Sequence, residues 1–333
     1  MNLIQVMQEL GSEEQCWEFL ENTRWPKGVR CVTCGSKEIS TISRETDGKN
    51  KRGRIYQCLE PTCKQQFSAT AGTIFHDSHL PLTKWFLAVA LITNAKKGIS
   101  AKQLQRDLKV SYQTAWHMSH RIRKSMEEQF PTKLSGVVEV DETFIGGKTQ
   151  RRHKIDGRTW RERKDIVIGM RERDGRVRYF HVSDLKAKTL KPLLDRHISA
   201  HTKRIMTDSA IAYDFAMDKE FRRKHRTVNH VIEWLRPDAL YPIHTNTVES
   251  SFSLLKRGLV GSFHRVSVKH LARYLSEFEY RFNRRDQQEE MFRDTVSRML
   301  GVKPLPYAQL TANDGEDELP SQASEPPVLP DPF

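Results

Sequence analysis

The stretch "GVVEVDETFIGGK", residues 136–148, decides how the middle of the chain is read. Val137, Val138 and Val140 are strand formers, yet Glu139, Asp141 and Glu142 interrupt or end the run. In an alternating strand Glu139 and Asp141 share one face, with Val138, Val140 and Glu142 on the other. A strand that ends in carboxylates invites a divalent cation. Asp is equally common where a strand gives way to a turn, and Gly146-Gly147 follow closely. The segments on either side choose between the two.

Downstream, "IVIGMRERDGRVRYFHV" places Asp174-Gly175 between two β-rich runs as a hairpin turn. The spacing then predicts a helix over "KAKTLKPLLDRHI", a strand in "KRIMTDSAIAY" ending at Asp208, a helical stretch, and a short strand in "HRTVNHV". A further helix opens in "HTNTVESSFSLLKRGL". Three antiparallel strands, then helix, strand, helix, strand and helix, is the order of the ribonuclease-H-like fold. In it, strands carry the first two acids and a helix the third. Asp141, Asp208 and Glu249 fall at those places. Oxygen ligands from three directions suit two Mg²⁺ or Mn²⁺ ions about 4 Å apart. Each acid also has a plainer role open to it. Asp208 suits a helix N-cap, and Glu249 suits the third position of a capping box with Asn246 as N-cap. Asn246 is also an alternative oxygen ligand in place of Glu249. Lys256 lies two helical turns beyond Glu249 and projects from the same face. There it suits a lysine held beside a phosphate.

Upstream, "CVTC" and "CLEPTC" bring Cys31, Cys34, Cys58 and Cys63 together as two close pairs roughly 20 residues apart, the spacing of a thiolate zinc ribbon. The second pair is wider than the tightest knuckles. Arg30, Lys37, Tyr56, Lys64 and Phe67 suit either a module resting on nucleic acid or a solvated surface with one packed aromatic. From Leu82 a helical pattern runs toward Gly98, a plausible C-cap. Two helices follow, with Ser100 and Ser111 as N-caps and a short turn between them. The second carries Tyr112, Gln113, Thr114, His117, His120, Arg121 and Arg123, the form of a helix-turn-helix recognition helix. A plain helical hairpin has the same pattern.

The formal net charge of +13 points to a polyanionic partner such as DNA, RNA or an anionic membrane surface, and the two modules just described favour double-stranded DNA. Further phosphate contacts are expected from Arg151, Arg152, Lys154, Arg161 and Arg163 in the basic insertion. Others are expected from Arg257, Arg265, Lys269, Arg273, Arg281, Arg284 and Arg285. The longest apolar stretch, "WFLAVALIT", is too short to span a bilayer, and the N-terminus lacks an export signal, so no membrane role and a cytoplasmic location are expected. The expected organisation is α+β and multidomain: an N-terminal helix (1–25), a zinc ribbon (26–75), a helix-turn-helix (80–130), a ribonuclease-H-like catalytic domain (134–300) and an acidic, Pro-rich, disordered tail (311–333).

The two cysteine pairs, "GVVEVDETFIGGK", "TDSA", "HTNTVESSFSLLKRGL" and then "YRFNRR" closely resemble the bacterial insertion-sequence transposases of the ISXO type, the insertion sequence fifteen-ninety-five family. The resemblance implies a DDE-type enzyme, with structural zinc, acting on the terminal inverted repeats of its own element as at least a dimer. It carries over Asp141, Asp208 and Lys256, and leaves the choice between Glu249 and Asn246 open, because that family varies at the third acid. A transposase-derived DNA-binding regulator and a structure-selective nuclease on the same fold remain the alternatives.

Overall fold

A computed structural model describes residues 1–43, 54–146, 164–229 and 232–312. The polar loop carrying Asp47-Gly48 between the cysteine pairs, Gly147, the basic insertion with Arg151, Arg152, Lys154, Arg161 and Arg163, and the tail from 313 lie outside the described residues.

Helices α1 (Leu3–Glu9) and α2 (Glu13–Arg24) each begin with a complete capping box, Asn2 with Gln5 and Ser12 with Gln15. Strands β1 (Ile39–Ser43), β2 (Arg54–Cys58) and β3 (Gln66–Phe67) form a small antiparallel sheet. Tyr56 and Phe67 do not face a nucleic acid. Both are buried, and with Trp25 they form a trio of ring contacts 5.6–5.9 Å apart beneath the cysteines.

Helix α3 (Leu82–Asn94) ends four residues before Gly98, so Gly98 is not its cap. The glycine serves a close approach instead: at φ +83, a Cβ there would stand 2.5 Å from the Phe263 ring. Helices α4 (Ala101–Leu108) and α5 (Tyr112–Met126) follow, with the hydroxyls of Ser100 and Ser111 accepting from the Gln103 and Thr114 N–H groups as expected. Lys109, at φ +49, makes the turn between them.

The sheet of the second half has the order β6-β5-β4-β7-β8. Its strands are β4 (Val137–Ile145), β5 (Asp165–Glu172), β6 (Val177–Val182), β7 (Arg204–Asp208) and β8 (His225–Val228). The first three form an antiparallel meander, while β4–β7 and β7–β8 are parallel. This is the ribonuclease-H-like arrangement. Helices α6 (Ala187–His197), α7 (Ile211–Ala216) and α8 (Lys219–Lys224) complete the core on the Val138/Val140 face. Helix α9 (Asn246–Gly258), a π-helical turn (Leu259–Phe263) and α10 (Val268–Asn283) cover the opposite face.

Helix α11 (Gln288–Gly301) leaves this domain. Its Met291, Phe292, Val296 and Met299 fill the helical core built by α1–α5. Helix α12 (Tyr307–Thr311) follows, so order extends to the start of the segment expected as tail. The "YRFNRR" motif has a structural use here. Asn283 pairs its side-chain amide with both backbone groups of Val177 at 2.8 and 3.0 Å, closing edge strand β6 as another strand would. The Tyr280 hydroxyl donates to Asp294, 2.8 Å away.

Burial removes three expected DNA contacts, Arg121, Arg123 and Arg281. Arg123 is 1% exposed and donates to the fully buried Glu277 at 2.7 Å; Arg121 is 6% exposed and donates to the His76 carbonyl. Arg281 is likewise buried against Glu277. The second half of α5 faces α10 and α11, and Arg123 joins it to α10, whereas Arg121 is bound within the helical module. His120 lies in the same contact, fully buried, with the His270 and Trp116 rings 4.7 and 4.5 Å away. Burial, reinforced by Arg123 and His270, holds its pKa down to about 2. An unfolded His120 takes up a proton near pH 6.5, whereas the native one stays neutral until far lower pH. Its contribution is thus intact above pH 6.5 and is lost as pH falls, at about 1.4 kcal/mol per unit. Urea melts of His120→Leu between pH 6.5 and 4.5 are expected to show a flatter pH dependence than the parent; an unchanged slope contradicts the assignment.

Candidate metal centres and DNA-facing surface

In the ribbon, the four cysteine sulfurs lie within 4.8 Å of one another, with Cys31–Cys63 and Cys34–Cys58 each at 3.6 Å. A tetrahedron with Zn–S bonds of about 2.3 Å has edges of about 3.8 Å. The donor set and its size fit zinc. The wide second knuckle is accommodated by a turn in which the Cys63 and Lys64 N–H groups both donate to the Glu60 carbonyl. Lys64 at φ +49 returns the chain toward β3.

The second centre stands where the carboxyl end of β7 lies beside the middle of β4, which continues past its acids to Ile145. Glu139 pairs with Met206, so two residues on Asp141 stands beside Asp208. Carboxylate oxygens of Asp141, Glu142 and Asp208 lie within 4.8 Å of one another. Glu142, placed by alternation on the face opposite Asp141, is nevertheless part of the cluster; it projects toward α7, where the buried Tyr213 hydroxyl donates to it at 2.9 Å. Burial, then the Glu142 charge, push the Asp141 carboxyl up to about 8 against the Glu142 backbone N–H, with Asp208 and Glu249 adding to the rise. So much negative charge in one half-buried place is what a hard divalent cation offsets, and an all-oxygen donor set suits Mg²⁺ or Mn²⁺.

Glu249 stands in the first turn of α9, outside the tight group yet near enough for its charge to reach Asp141. The buried Thr245 hydroxyl donates to its Oε1 at 3.0 Å. Asn246 is the first residue of α9 and exposed, and the N-cap is Thr245, so the anticipated Asn246–Glu249 capping box does not form. Asp208 is not a helix cap either: its Oδ1 accepts from the Ala210 N–H at 3.0 Å, and α7 begins later without a side-chain cap. Lys256 and Arg257 are exposed on α9. Gly169, paired opposite Asp141, lets α9 approach the sheet; a Cβ there would stand 2.6 Å from Phe252 and 3.0 Å from Val248.

Of the helix-turn-helix residues, Tyr112 and Gln113 are exposed and Thr114 is half-buried at the start of α5. His117 is turned toward the Leu305 carbonyl, 2.8 Å from its Nε2. Among the later arginines, Arg265 and Arg285 are exposed, whereas Arg284 pairs with Asp294 at 2.9 Å. No helix among the described residues is long and apolar enough to cross a membrane.

A ribonuclease-H-like sheet bearing acids on its two adjacent parallel strands β4 and β7, behind a zinc ribbon, defines the DDE transposase class. Residues 133–283 match the ISXO2-like transposase domain and residues 11–66 the transposase zinc-ribbon domain. A Halobacterium salinarum protein described as an uncharacterized protein in transposable element ISH50 is 31% identical over 287 residues, 81% of this chain and 90% of that protein. The chain belongs to the ISXO2-like transposase family. Among solved structures, the Mos1 strand transfer complex aligns with 64% of this chain and 78% of that one, at 12% identity and a TM-score of 0.26. That likeness is loose, and the fold assignment rests on the strand order.

Proposed function

We propose that this transposase binds the terminal inverted repeats of its own element, cleaves the DNA there and joins the freed ends to target DNA. The observation carrying this reading is the convergence of the Asp141, Glu142 and Asp208 carboxylates, with Glu249 beside them on α9. Asp141, Asp208 and Glu249 would hold the catalytic metal, with Glu142 a further oxygen donor. Bound Mg²⁺ or Mn²⁺ supplies an activated oxygen nucleophile at neutral pH and offsets charge on the leaving oxygen.

The chain's own residues do the rest. Thr245 orients Glu249, and Tyr213 orients Glu142. Lys256 and Arg257, exposed on the helix bearing Glu249, would meet phosphates of the reacting strand. Tyr112, Gln113 and Thr114 begin the helix that would enter the major groove, where N-terminal residues of such helices meet base edges. Joining two ends calls for at least two copies of the chain.

Purified protein incubated with labelled end-repeat duplex, target DNA and Mg²⁺ or Mn²⁺ tests the reading. Strand-transfer products are the expected result. Cleavage without joining identifies a nuclease, and binding alone identifies a DNA-binding regulator; either outcome overturns it.

A further inference from the structure

We propose that Glu139 is a positioning residue of the catalytic centre, which sets where helix α9 begins and thereby where Glu249 stands. The inference rests on Glu249 being the third acid. Glu139 is fully buried, two residues before Asp141 and on the same strand face. A carboxylate there has a use specific to its surroundings. Its Oε2 accepts the Thr247 and Val248 backbone N–H groups at 2.8 and 3.0 Å. Its Oε1 is 2.8 Å from Arg173 Nε and 3.2 Å from His244 Nδ1.

Helix α9 has no side-chain cap of its own. Two of the N–H groups that a helix leaves unpaired in its first turn are taken by an acid on another element, where a negative charge also suits the helix dipole. Val248 immediately precedes Glu249, so these bonds fix both the axial position and the rotation of the turn carrying the third acid. Strand β5 holds the same turn from the carbonyl side: Arg171 donates to the Thr247 carbonyl and, at 2.9 Å, to the Ser250 hydroxyl. Arg173 also reaches the His244 carbonyl at 3.3 Å, tying down the segment that enters α9. The first acid and the helix of the third are thus joined through one side chain on the first acid's own strand. A displacement of about 1 Å in such a constellation is enough to cost on the order of a hundredfold in rate.

The full-length chain is made as Glu139→Gln, Glu139→Asp, Glu139→Gln with Arg173→Met, and Glu249→Gln. Three readouts are followed: Mn²⁺ affinity by electron paramagnetic resonance of the free ion, melting temperature without metal, and cleavage of end-repeat duplex across a Mn²⁺ titration. Glu139→Gln is expected to weaken Mn²⁺ binding at least tenfold, with cleavage partly recovered at high Mn²⁺. Arg173→Met removes the cation left without its partner, so the double variant should regain much of the melting temperature while Mn²⁺ affinity stays low. Glu139→Asp keeps the charge but is shorter by a methylene; it should fold and still bind Mn²⁺ several-fold more weakly, which keeps the test decisive if the glutamine variant does not fold. Should the double variant regain Mn²⁺ affinity along with stability, or should Glu139→Asp match the parent, Glu139 is only a structural ion pair. If Glu249→Gln binds Mn²⁺ as the parent does, the third-acid reading itself fails. If Glu249→Gln weakens binding and the Glu139 variants do not, only the positioning role fails.

Discussion

Asp141→Asn and Asp208→Asn each reduce metal-dependent cleavage and joining on the order of a thousandfold or more, measured on labelled end-repeat duplex, while the protein remains folded. Either change removes an anionic oxygen from a group in which three carboxylates lie within 4.8 Å. Residues that act as one unit lose most of their joint effect when any member goes. The stability change runs the other way. Without metal, the Asp141 carboxyl is held up at about 8, chiefly by burial and the Glu142 charge, so ionising it opposes folding. Asparagine has no charge to bury, and Asp141→Asn should therefore melt at a higher temperature than the parent in buffer without added Mg²⁺ or Mn²⁺. A variant that loses activity and gains stability cannot be dismissed as misfolded. Glu249→Gln should lose at least a hundredfold and exposed Asn246→Ala little; the opposite ranking assigns the third oxygen to Asn246. An Asp141→Asn variant that joined strands normally would falsify the active-site assignment.

Cys58→Ser, or removal of zinc by a strong chelator, unfolds the ribbon while leaving the second sheet intact. Among the described residues the ribbon has three short strands, and the cluster under its metal site has Cys31, Tyr56, Cys58 and Phe67 as its buried members. In so small a module metal binding is folding free energy, roughly 10–16 kcal/mol for zinc-finger peptides at neutral pH. Cys58 is fully buried and its sulfur stands 3.6 Å from that of Cys34, so serine can neither complete the thiolate set nor fill the space. The damage should spread to α2, because Arg54 on β2 pairs with Glu21 at 2.8 Å and Trp25 meets the Tyr56 ring edge to face. Hydrogen exchange should show lost protection in the described parts of residues 26–67 and a partial loss along α2, and affinity for end-repeat duplex should fall more than tenfold. A ribbon that keeps its protection after zinc has been assayed as absent contradicts this account.

Much of this architecture was legible because the signals act over a few residues. Cysteine spacing gave the ribbon, and valine alternation with Asp174-Gly175 gave the β4–β5–β6 meander. Ser100 and Ser111 marked helix starts that the structure reproduces through bonds spanning three residues. Asp208 ends β7 as its local sequence suggested, whereas β4 does not end at its carboxylates but runs on to Ile145; the register of the parallel neighbours is what carries Asp141 beside Asp208.

Where the sequence misled, the deciding partner was far away along the chain. Arg123 has the form of a phosphate contact on a recognition helix until Glu277, 154 positions on, takes its charge. Asn246 has the form of a cap until Glu139, 108 positions before Thr247, takes the N–H groups. Glu142 belongs by alternation to the far face, and it joins the carboxylates only because β4 runs past its pairing with β7, into the space where α7 brings Tyr213. The sequence alone therefore determined the elements, their order and the chemical types at the two candidate metal centres, since propensity, capping and spacing depend on near neighbours. Tertiary structure decided which charges are paired inside and which stay on the surface, because burial and ion pairing depend on what packs opposite, and no local pattern records that.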